Sequence, residues 1–280
     1  MSTELLKITN LNVSFKTPNG HITAVNNLSL SIKKAETIAI VGESGSGKST
    51  TALSILGLLP YPLAFHKNGS IKFKNTELLN ASGKKIQKIR GFNVSMIFQE
   101  PMMSLNPLHT IKKQIKESLI IHTKLSNTQM NNRVMELLDL VGLNNVHEHI
   151  DKYPHQLSGG QRQRVMISIA IANNPDLLIA DEPTTALDVT IQLQILKLLK
   201  SIQKKLGMSI LLITHDLNIV KHMAKYVHIM NNGRIIEFGK VKDVLTKPKK
   251  VYTRSLLKAQ PKNLSRNASF SPGPKILSIK

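Results

Sequence analysis

Cysteine and tryptophan do not occur anywhere in this 280-residue sequence. Without a thiol, disulfides, thiolate-held iron–sulfur clusters and zinc–thiolate sites are excluded. Aromatic residues make up only 4%, and no interleaved run of them forms a platform on which bases could stack. No apolar stretch approaches the ~18 residues a membrane-spanning helix needs, so work at a membrane would require partners to hold the chain there. The opening residues, Met1-Ser2-Thr3-Glu4-Leu5-Leu6-Lys7, have no basic start followed by a long apolar core. No signal peptide is therefore expected. Acidic side chains are scarce as well: 17 stand against 38 Lys and Arg, a formal net charge of +21.

That charge raises nucleic-acid binding as a reading. It is unevenly spread, however. From Lys240 to Lys280 there are eleven basic residues and one acid, Asp243. Two other readings compete: lysine is abundant as a compositional bias, or the basic tail faces an anionic membrane surface or a partner. The 41% hydrophobic content suits one large domain, or one with a subdomain, and is ample for a core.

The most informative stretch is Gly42-Glu43-Ser44-Gly45-Ser46-Gly47-Lys48-Ser49-Thr50. It fits Gly, four residues, Gly-Lys-Ser/Thr. The apolar run Thr37 to Val41 precedes it, and a helix-like segment, Thr51 to Leu59, follows. Strand, glycine-rich loop and helix is the context of a phosphate-binding loop. Glycines let successive N–H groups turn inward toward phosphate oxygens. The helix adds the positive end of its dipole. Lys48 can reach the β- and γ-phosphates, and the Ser49 hydroxyl can ligand Mg²⁺.

Around this loop, strand and helix patterns alternate. Leu11, Val13 and Phe15, then Leu28, Leu30 and Ile32, alternate with polar residues as half-buried strands, with Pro18-Asn19-Gly20 as the turn between. Pro60-Tyr61-Pro62 should stop the helix after the loop. Ile71 to Phe73 and Val94 to Phe98 read as strands. From Ile111 to Val146 the spacing turns helical, which suggests an inserted helical subdomain. Leu177 to Ala180 and Ser209 to Thr214 read as buried strands, Thr190 to Lys205 and Leu217 to Ala224 as helices. Asn231-Asn232-Gly233 is a hairpin turn. Beyond Lys240 come short helical pieces, then a Ser-, Asn-, Pro- and Lys-rich tail expected to be disordered from about Asn267. The pattern predicts an α/β sheet with its ligand at the strand ends. His147 and His149 lie about 200° apart on a helix with no third ligand near, and are read as solvated.

A phosphate loop alone hydrolyses nothing; Mg²⁺ must be held and water positioned. Asp181 and Glu182 emerge at the end of the Leu177–Ala180 strand. Asp181 can enter the Mg²⁺ shell, and Glu182 can orient or deprotonate water. Leu157-Ser158-Gly159-Gly160-Gln161-Arg162-Gln163-Arg164 opens a further helix whose N-terminus suits an anion.

These three motifs together resemble the ATP-binding cassette (ABC) family, from about Leu6 to Pro261. The resemblance implies a P-loop NTPase (RecA-like) core with an antiparallel β-subdomain and a helical subdomain inserted at about 105–160. The ATPase domain would span 1–239, a subfamily extension 240–264, and a disordered basic tail 265–280. Gly42 to Ser49 resembles the Walker A loop. Asp181 matches the Walker B aspartate, and Glu182 the catalytic glutamate. Ser158-Gly159-Gly160-Gln161 matches the signature motif. Gln99 looks like the Q-loop glutamine that contacts Mg²⁺ and the membrane partner. Ala186-Leu187-Asp188 looks like the D-loop, with Asp188 toward the nucleotide. His215 looks like the switch histidine. Phe15 sits where the family places an aromatic on adenine; a core Phe is the alternative. The family's cassettes dimerise head to tail, so that Ser158, Gly159 and Gly160 of one subunit close over the ATP of the other. The helical segment would dock on a membrane subunit.

Finer resemblance points to importers of oligopeptides, dipeptides or nickel. It is carried by Gln99-Glu100-Pro101-Met102-Met103-Ser104-Leu105-Asn106-Pro107, by Tyr153-Pro154-His155-Gln156-Leu157 and by Thr184 to Gln192. Pro248, Tyr252-Thr253, Leu256-Leu257 and Pro261 echo the subfamily's C-terminal extension. This implies an ATPase subunit at the cytoplasmic face of a bacterial inner membrane, using ATP and Mg²⁺. Its partners would be a second cassette, in a heterodimer, two permeases and an external solute-binding protein, with no direct nucleic-acid contact. A soluble, nucleic-acid- or ribosome-associated cassette is the competing class. Three departures stand out. Ala35 occupies a turn usually made by glycine, Lys250-Val251 replaces a common His-Pro, and the cysteine cluster that many relatives carry in the tail is missing.

Overall fold

The computed structural model describes residues 4–99, 104–143, 145–185 and 187–259. Glu100 to Met103 of the Gln99 stretch, Ala186, Pro261 and the expected tail at 265–280 lie outside the described residues.

The chain opens with a long hairpin, β1 (Glu4–Thr17) and β2 (Gly20–Lys33), in which Thr17 pairs with Gly20 across Pro18-Asn19. Ala35, in the connection to β3 (Thr37–Val41), has a φ of 55°. This is the left-handed region that glycine enters freely and alanine does not. All five side chains of β3 are buried. The glycine-rich loop then feeds directly into α1 (Lys48–Leu56). The helix starts at Lys48 rather than Thr51 because Lys48, Ser49 and Thr50 form its first turn. It ends before Pro60, at Gly57, whose φ of 61° makes a left-handed cap with N–H donation to the carbonyls of Leu53 and Ser54.

β4 (Ala64–Phe73) and β5 (Thr76–Glu77) follow. The sequence reading missed α2 (Gly83–Ile89), a short helix with no fully buried residue and hence no clear apolar stripe. β6 (Val94–Ile97) precedes the expected helices, α3 (Ile111–Ile120), α4 (Asn127–Leu140) and the short α5 (Val146–His149). Ser126 and Gln129 form a reciprocal capping box that starts α4. A turn of 3₁₀ helix at Pro154–Gln156 leads to α6 (Gly159–Ala170). Then come β7 (Leu177–Asp181), α7 (Val189–Leu206), β8 (Ser209–Thr214) and α8 (Leu217–Met223). β9 (Tyr226–Asn231) and β10 (Arg234–Lys240) form the expected hairpin, with Asn232 and Gly233 both at positive φ, 47° and 76°. Two short helices, α9 (Val241–Thr246) and α10 (Val251–Ala259), close the described chain.

The strands make two sheets: an antiparallel one in the order β2-β1-β4-β5, and a second in the order β10-β9-β3-β8-β7-β6. In the second sheet, β9, β3, β8, β7 and β6 are parallel and β10 is antiparallel. Its central strands read as unbroken apolar runs because both faces are covered. Ile38, Ile40, Leu177, Ile179, Leu211 and Ile213 pack with α1 and the antiparallel sheet. Ala39, Val41, Leu178, Ala180, Ile210 and Leu212 pack with the helices on the other side, among them α3, α4, α6 and α7. Alternate residues of one strand thus serve two cores.

The extension docks through its backbone. Glu237 of β10 accepts the N–H groups of Lys249 and Lys250, at 2.8 and 3.1 Å, and the Thr253 hydroxyl. At the Lys250-Val251 departure, position 250 contributes its amide to this cap and Val251 is 74% exposed.

Candidate active site

Four loops leave the carboxyl ends of adjacent parallel strands, the edge at which open α/β sheets gather ligands. Register aligns them. Val41 pairs with Thr214, Asp181 with Ile213, and Ile97 with Ala180. The residues just beyond, Gly42, His215, Glu182 and Gln99, therefore emerge at one edge although they lie far apart in sequence.

The phosphate loop is held by close backbone approaches. A Cβ on Gly42 would lie 2.1 Å from the Met230 carbonyl oxygen; one on Gly47, whose φ is 104°, would lie 2.4 Å from that of Ala24. Neither position tolerates a side chain. Ser44 and Gly45 are exposed, Ser46 is buried, and Thr50 is half-buried in the first turn of α1. Lys48 is buried and donates to the carbonyls of Gly42 and Glu43 at 2.9 and 2.8 Å. Burial lowers the pKa of its ammonium, while the charges of Glu182, Asp181 and Glu43 pull it back up. The cation thus rests on its own loop.

Glu182 is the centre of the acidic cluster. Its backbone sits at a φ of 46°, strained for a residue with a Cβ. Gln99 Nε2 donates to its Oε2 at 3.1 Å, and the Thr185 hydroxyl to the same oxygen at 2.8 Å. His215 Nδ1 lies 3.0 Å from Oε1. Burial by itself would raise the pKa of this carboxyl. The bonds from His215 and Thr185 outweigh it, and the net shift is downward. Glu182 is held as a carboxylate.

Its neighbour behaves differently. Asp181 is 4% exposed, and burial raises its pKa against the Ser49 hydroxyl bond and the Lys48 charge. Among the described residues its Oδ1 has no hydrogen-bond partner, and neither does the buried Ser46 hydroxyl at the loop. An unpartnered buried carboxylate oxygen beside a serine hydroxyl fits a hard divalent cation such as Mg²⁺, which takes oxygen ligands and would favour the ionised form. The Gln99 amide lies on Glu182, whereas Ser49 touches Asp181.

The remaining expected residues lie apart from this cluster. Ser158 caps α6 in a reciprocal box with Gln161, at 3.3 and 2.9 Å. Ser158 and Gly159 are exposed, and a Cβ on Gly160 would meet Ile191 at 2.9 Å. Asp188 spends its carboxylate on the N-cap of α7, accepting the Ile191 N–H at 3.0 Å. Phe15 is half-buried against the core beneath the antiparallel sheet.

The family profile described as "ABC transporter" matches residues 25–185. The chain belongs to the ABC transporter family. Its α/β fold is that of the ABC cassette, with an antiparallel β-subdomain and an inserted helical subdomain on a P-loop NTPase core. It is 51% identical over 92% of its length to the peptidoglycan transport ATP-binding protein YejF of Agrobacterium fabrum, and spans 47% of that protein. It is 48% identical to the oligopeptide transport ATP-binding protein OppD of Bacillus subtilis, covering 92% of this chain and 72% of that one. With the dipeptide transport ATP-binding protein DppD of the same organism it shares 47% identity, over 96% of this chain and 80% of DppD. A solved ABC cassette, dimeric and in a post-hydrolysis state bound to ADP and Pi, superimposes with a TM-score of 0.76 at 30% identity, covering 85% of this chain and 99% of that one. Among the described residues no helix of this cassette is long and apolar enough to cross a membrane.

Two residues of the cassette's site carried no chemical signal in the sequence. In the sequence Thr185 is only part of a subfamily match, whereas in the structure its hydroxyl donates to Glu182. Tyr252 served only as a mark of the extension. Its hydroxyl accepts the Glu43 N–H of the phosphate loop at 3.2 Å. Neither contact follows from spacing, because a turn makes one and tertiary packing the other.

Proposed function

We propose that this chain is the ATP-hydrolysing subunit of an ABC importer of peptides. The observation that carries the hydrolytic part is the Glu182 carboxylate, kept ionised and aimed by Gln99, Thr185 and His215 at the mouth of the phosphate loop. The loop amides beyond the Gly42–Glu43 peptide, from Ser44 to Ser49, and the N-terminus of α1 receive the phosphates of ATP. Lys48 leaves the Gly42 and Glu43 carbonyls for the β- and γ-phosphates. Glu182 orients a water in line with the γ-phosphorus and takes its proton as the oxygen–phosphorus bond forms and ADP departs. His215 fixes the other oxygen of Glu182 and lies near the γ-phosphate. Mg²⁺ on Ser49 and Asp181, with Gln99 joining it, would draw charge from the phosphate oxygens. Phe15 would meet the adenine.

Ser158 and Gly159 are exposed and Gly160 and Gln161 half-buried at the start of α6; together they complete the site of a second cassette, as Asp188 does at the start of α7. The expectation of a dimer is supported by the dimeric solved relative; a heterodimer is the form we favour. The peptide part rests on the transport names of the relatives and on the residues around Gln99, Thr185 and Tyr252. On this reading the chain works at the cytoplasmic face of a bacterial inner membrane, beside two permeases and an external solute-binding protein. The helical segment from α3 to α5 is the docking face. Nickel or another small solute is the alternative cargo. Nucleic acid is not an expected partner.

The test is Glu182→Gln. ATP binding should persist, turnover should fall at least ~100-fold, and ATP-dependent dimers should accumulate. Undiminished hydrolysis would remove Glu182 from its role. Gentle membrane extraction should recover the chain with two polytopic permeases, and peptide uptake should fail without it; intact uptake would refute the transport assignment.

A further inference from the structure

The C-terminal extension reaches the nucleotide loop along the sheet. Glu237 pairs with Ile229 across β10 and β9, and Ile229 pairs with Val41 across β9 and β3. The carboxylate that caps α10 therefore stands level with the last residue of β3, one residue before Gly42. Thr253 of α10 is wholly buried on that carboxylate, and Leu256 is buried beneath the helix. From this anchor Tyr252 extends to the loop, and its hydroxyl accepts the Glu43 N–H.

The other end of the same peptide unit is also held. The Gly42 carbonyl, which belongs to the Gly42–Glu43 peptide, accepts from Lys48 Nζ at 2.9 Å. In a planar trans peptide the C=O and N–H point to opposite sides. Lys48 and Tyr252 thus fix one peptide plane from both edges. When Lys48 turns to a phosphate, its bond to Gly42 is given up. The Tyr252 bond does not depend on where Lys48 points and remains to set the plane.

We propose that Tyr252 is a positioning residue for nucleotide binding: through its hydroxyl, the C-terminal extension holds the Gly42–Glu43 peptide in the orientation that receives ATP. The extension is then part of the nucleotide site. Whatever shifts α10, including a partner seated on the extension, alters ATP affinity through this one contact. The inference rests on the reading of Gly42–Thr50 as the ATP site.

Tyr252→Phe removes the hydroxyl and keeps the ring. Titration of the full chain with ATP and magnesium chloride in a calorimeter should show a dissociation constant raised roughly three- to tenfold, the worth of one net hydrogen bond. Turnover at saturating ATP should stay within about twofold, because the contact acts on binding and not on Glu182. A change confined to folding would instead alter the melting temperature or the active fraction at unchanged affinity, and would overturn the proposal. Glu237→Ala, which releases α10, should weaken ATP to a similar extent, and Tyr252→Phe added to it should weaken it no further. Full additivity of the two would overturn the route through α10. Unchanged affinity in Tyr252→Phe, with the parent protein binding ATP normally, refutes this inference alone. A parent protein that binds no ATP refutes the reading of the site and this inference with it.

Discussion

Replacing Thr185 by Val removes one hydroxyl and keeps the branched shape, so it isolates a single hydrogen bond to Glu182. That bond is 2.8 Å long and ends on a carboxylate whose side chain is 14% exposed. Glu182 cannot rely on ordinary backbone geometry for its aim, because its φ of 46° lies in a strained region. Three neighbours hold it instead, and Gln99 and His215 remain in the variant. A hydrogen bond to a charged group contributes ~1.5–3 kcal/mol. With two partners retained, the lower end applies, which corresponds to a roughly tenfold fall in kcat. The pH profile should move too. The Thr185 bond lowers the pKa of Glu182. Its loss raises that pKa, so the acid limb of kcat should shift to higher pH. Thr185→Ser keeps the hydroxyl and should stay near the parent in both respects. Steady-state ATPase rates across pH for the three proteins decide it. A Val variant with parental kcat and an unmoved acid limb, or a Ser variant as impaired as Val, would refute the reasoning.

Two further outcomes concern stability. Ala35 holds a φ of 55°, so Ala35→Gly should relieve strain and stabilise the fold by ~0.5–1 kcal/mol, read as a higher denaturant midpoint at constant slope. His228 is 6% exposed, and burial lowers its pKa from 6.5 to about 4. Its folded form resists protonation, so stability should be level above about pH 7 and fall between about pH 6.5 and 4, by up to ~3 kcal/mol. The fall in melting temperature over that window should be shallower in His228→Gln; an equal slope would assign the acid sensitivity to other groups.

Much of the site was legible because its chemistry is local. A phosphate loop needs Gly, Lys and Ser at fixed offsets, since consecutive amides and one helix N-terminus would do the binding. Asp181 and Glu182 were legible for the same reason: an apolar strand that ends in two carboxylates leaves them at a sheet edge. The Asn232-Gly233 turn followed from the positive φ it demands. Helix α2 was missed because, with no buried face, it imposes no period. The ends of α1 were misplaced because the loop itself enters the helix and Gly57 closes it before Pro60 can. The expectation that Asp188 faces a nucleotide rests on resemblance alone; within the chain its Oδ1 accepts the Ile191 N–H at the cap of α7.

What the sequence alone determined, then, was the ligand chemistry, the α/β class and the family. Each rests on residue types at short, fixed separations, where covalent geometry sets what can point where. Only the tertiary structure decided how distant parts meet. Register across β3, β8, β7 and β6 carries Gly42, His215, Glu182 and Gln99 to one edge. Packing around Glu237 lays a helix from the far end of the described chain against the phosphate loop, so that the Tyr252 hydroxyl meets the Glu43 amide. Contacts of that kind depend on how strands pair and helices dock over some two hundred residues, and no spacing in the sequence encodes them.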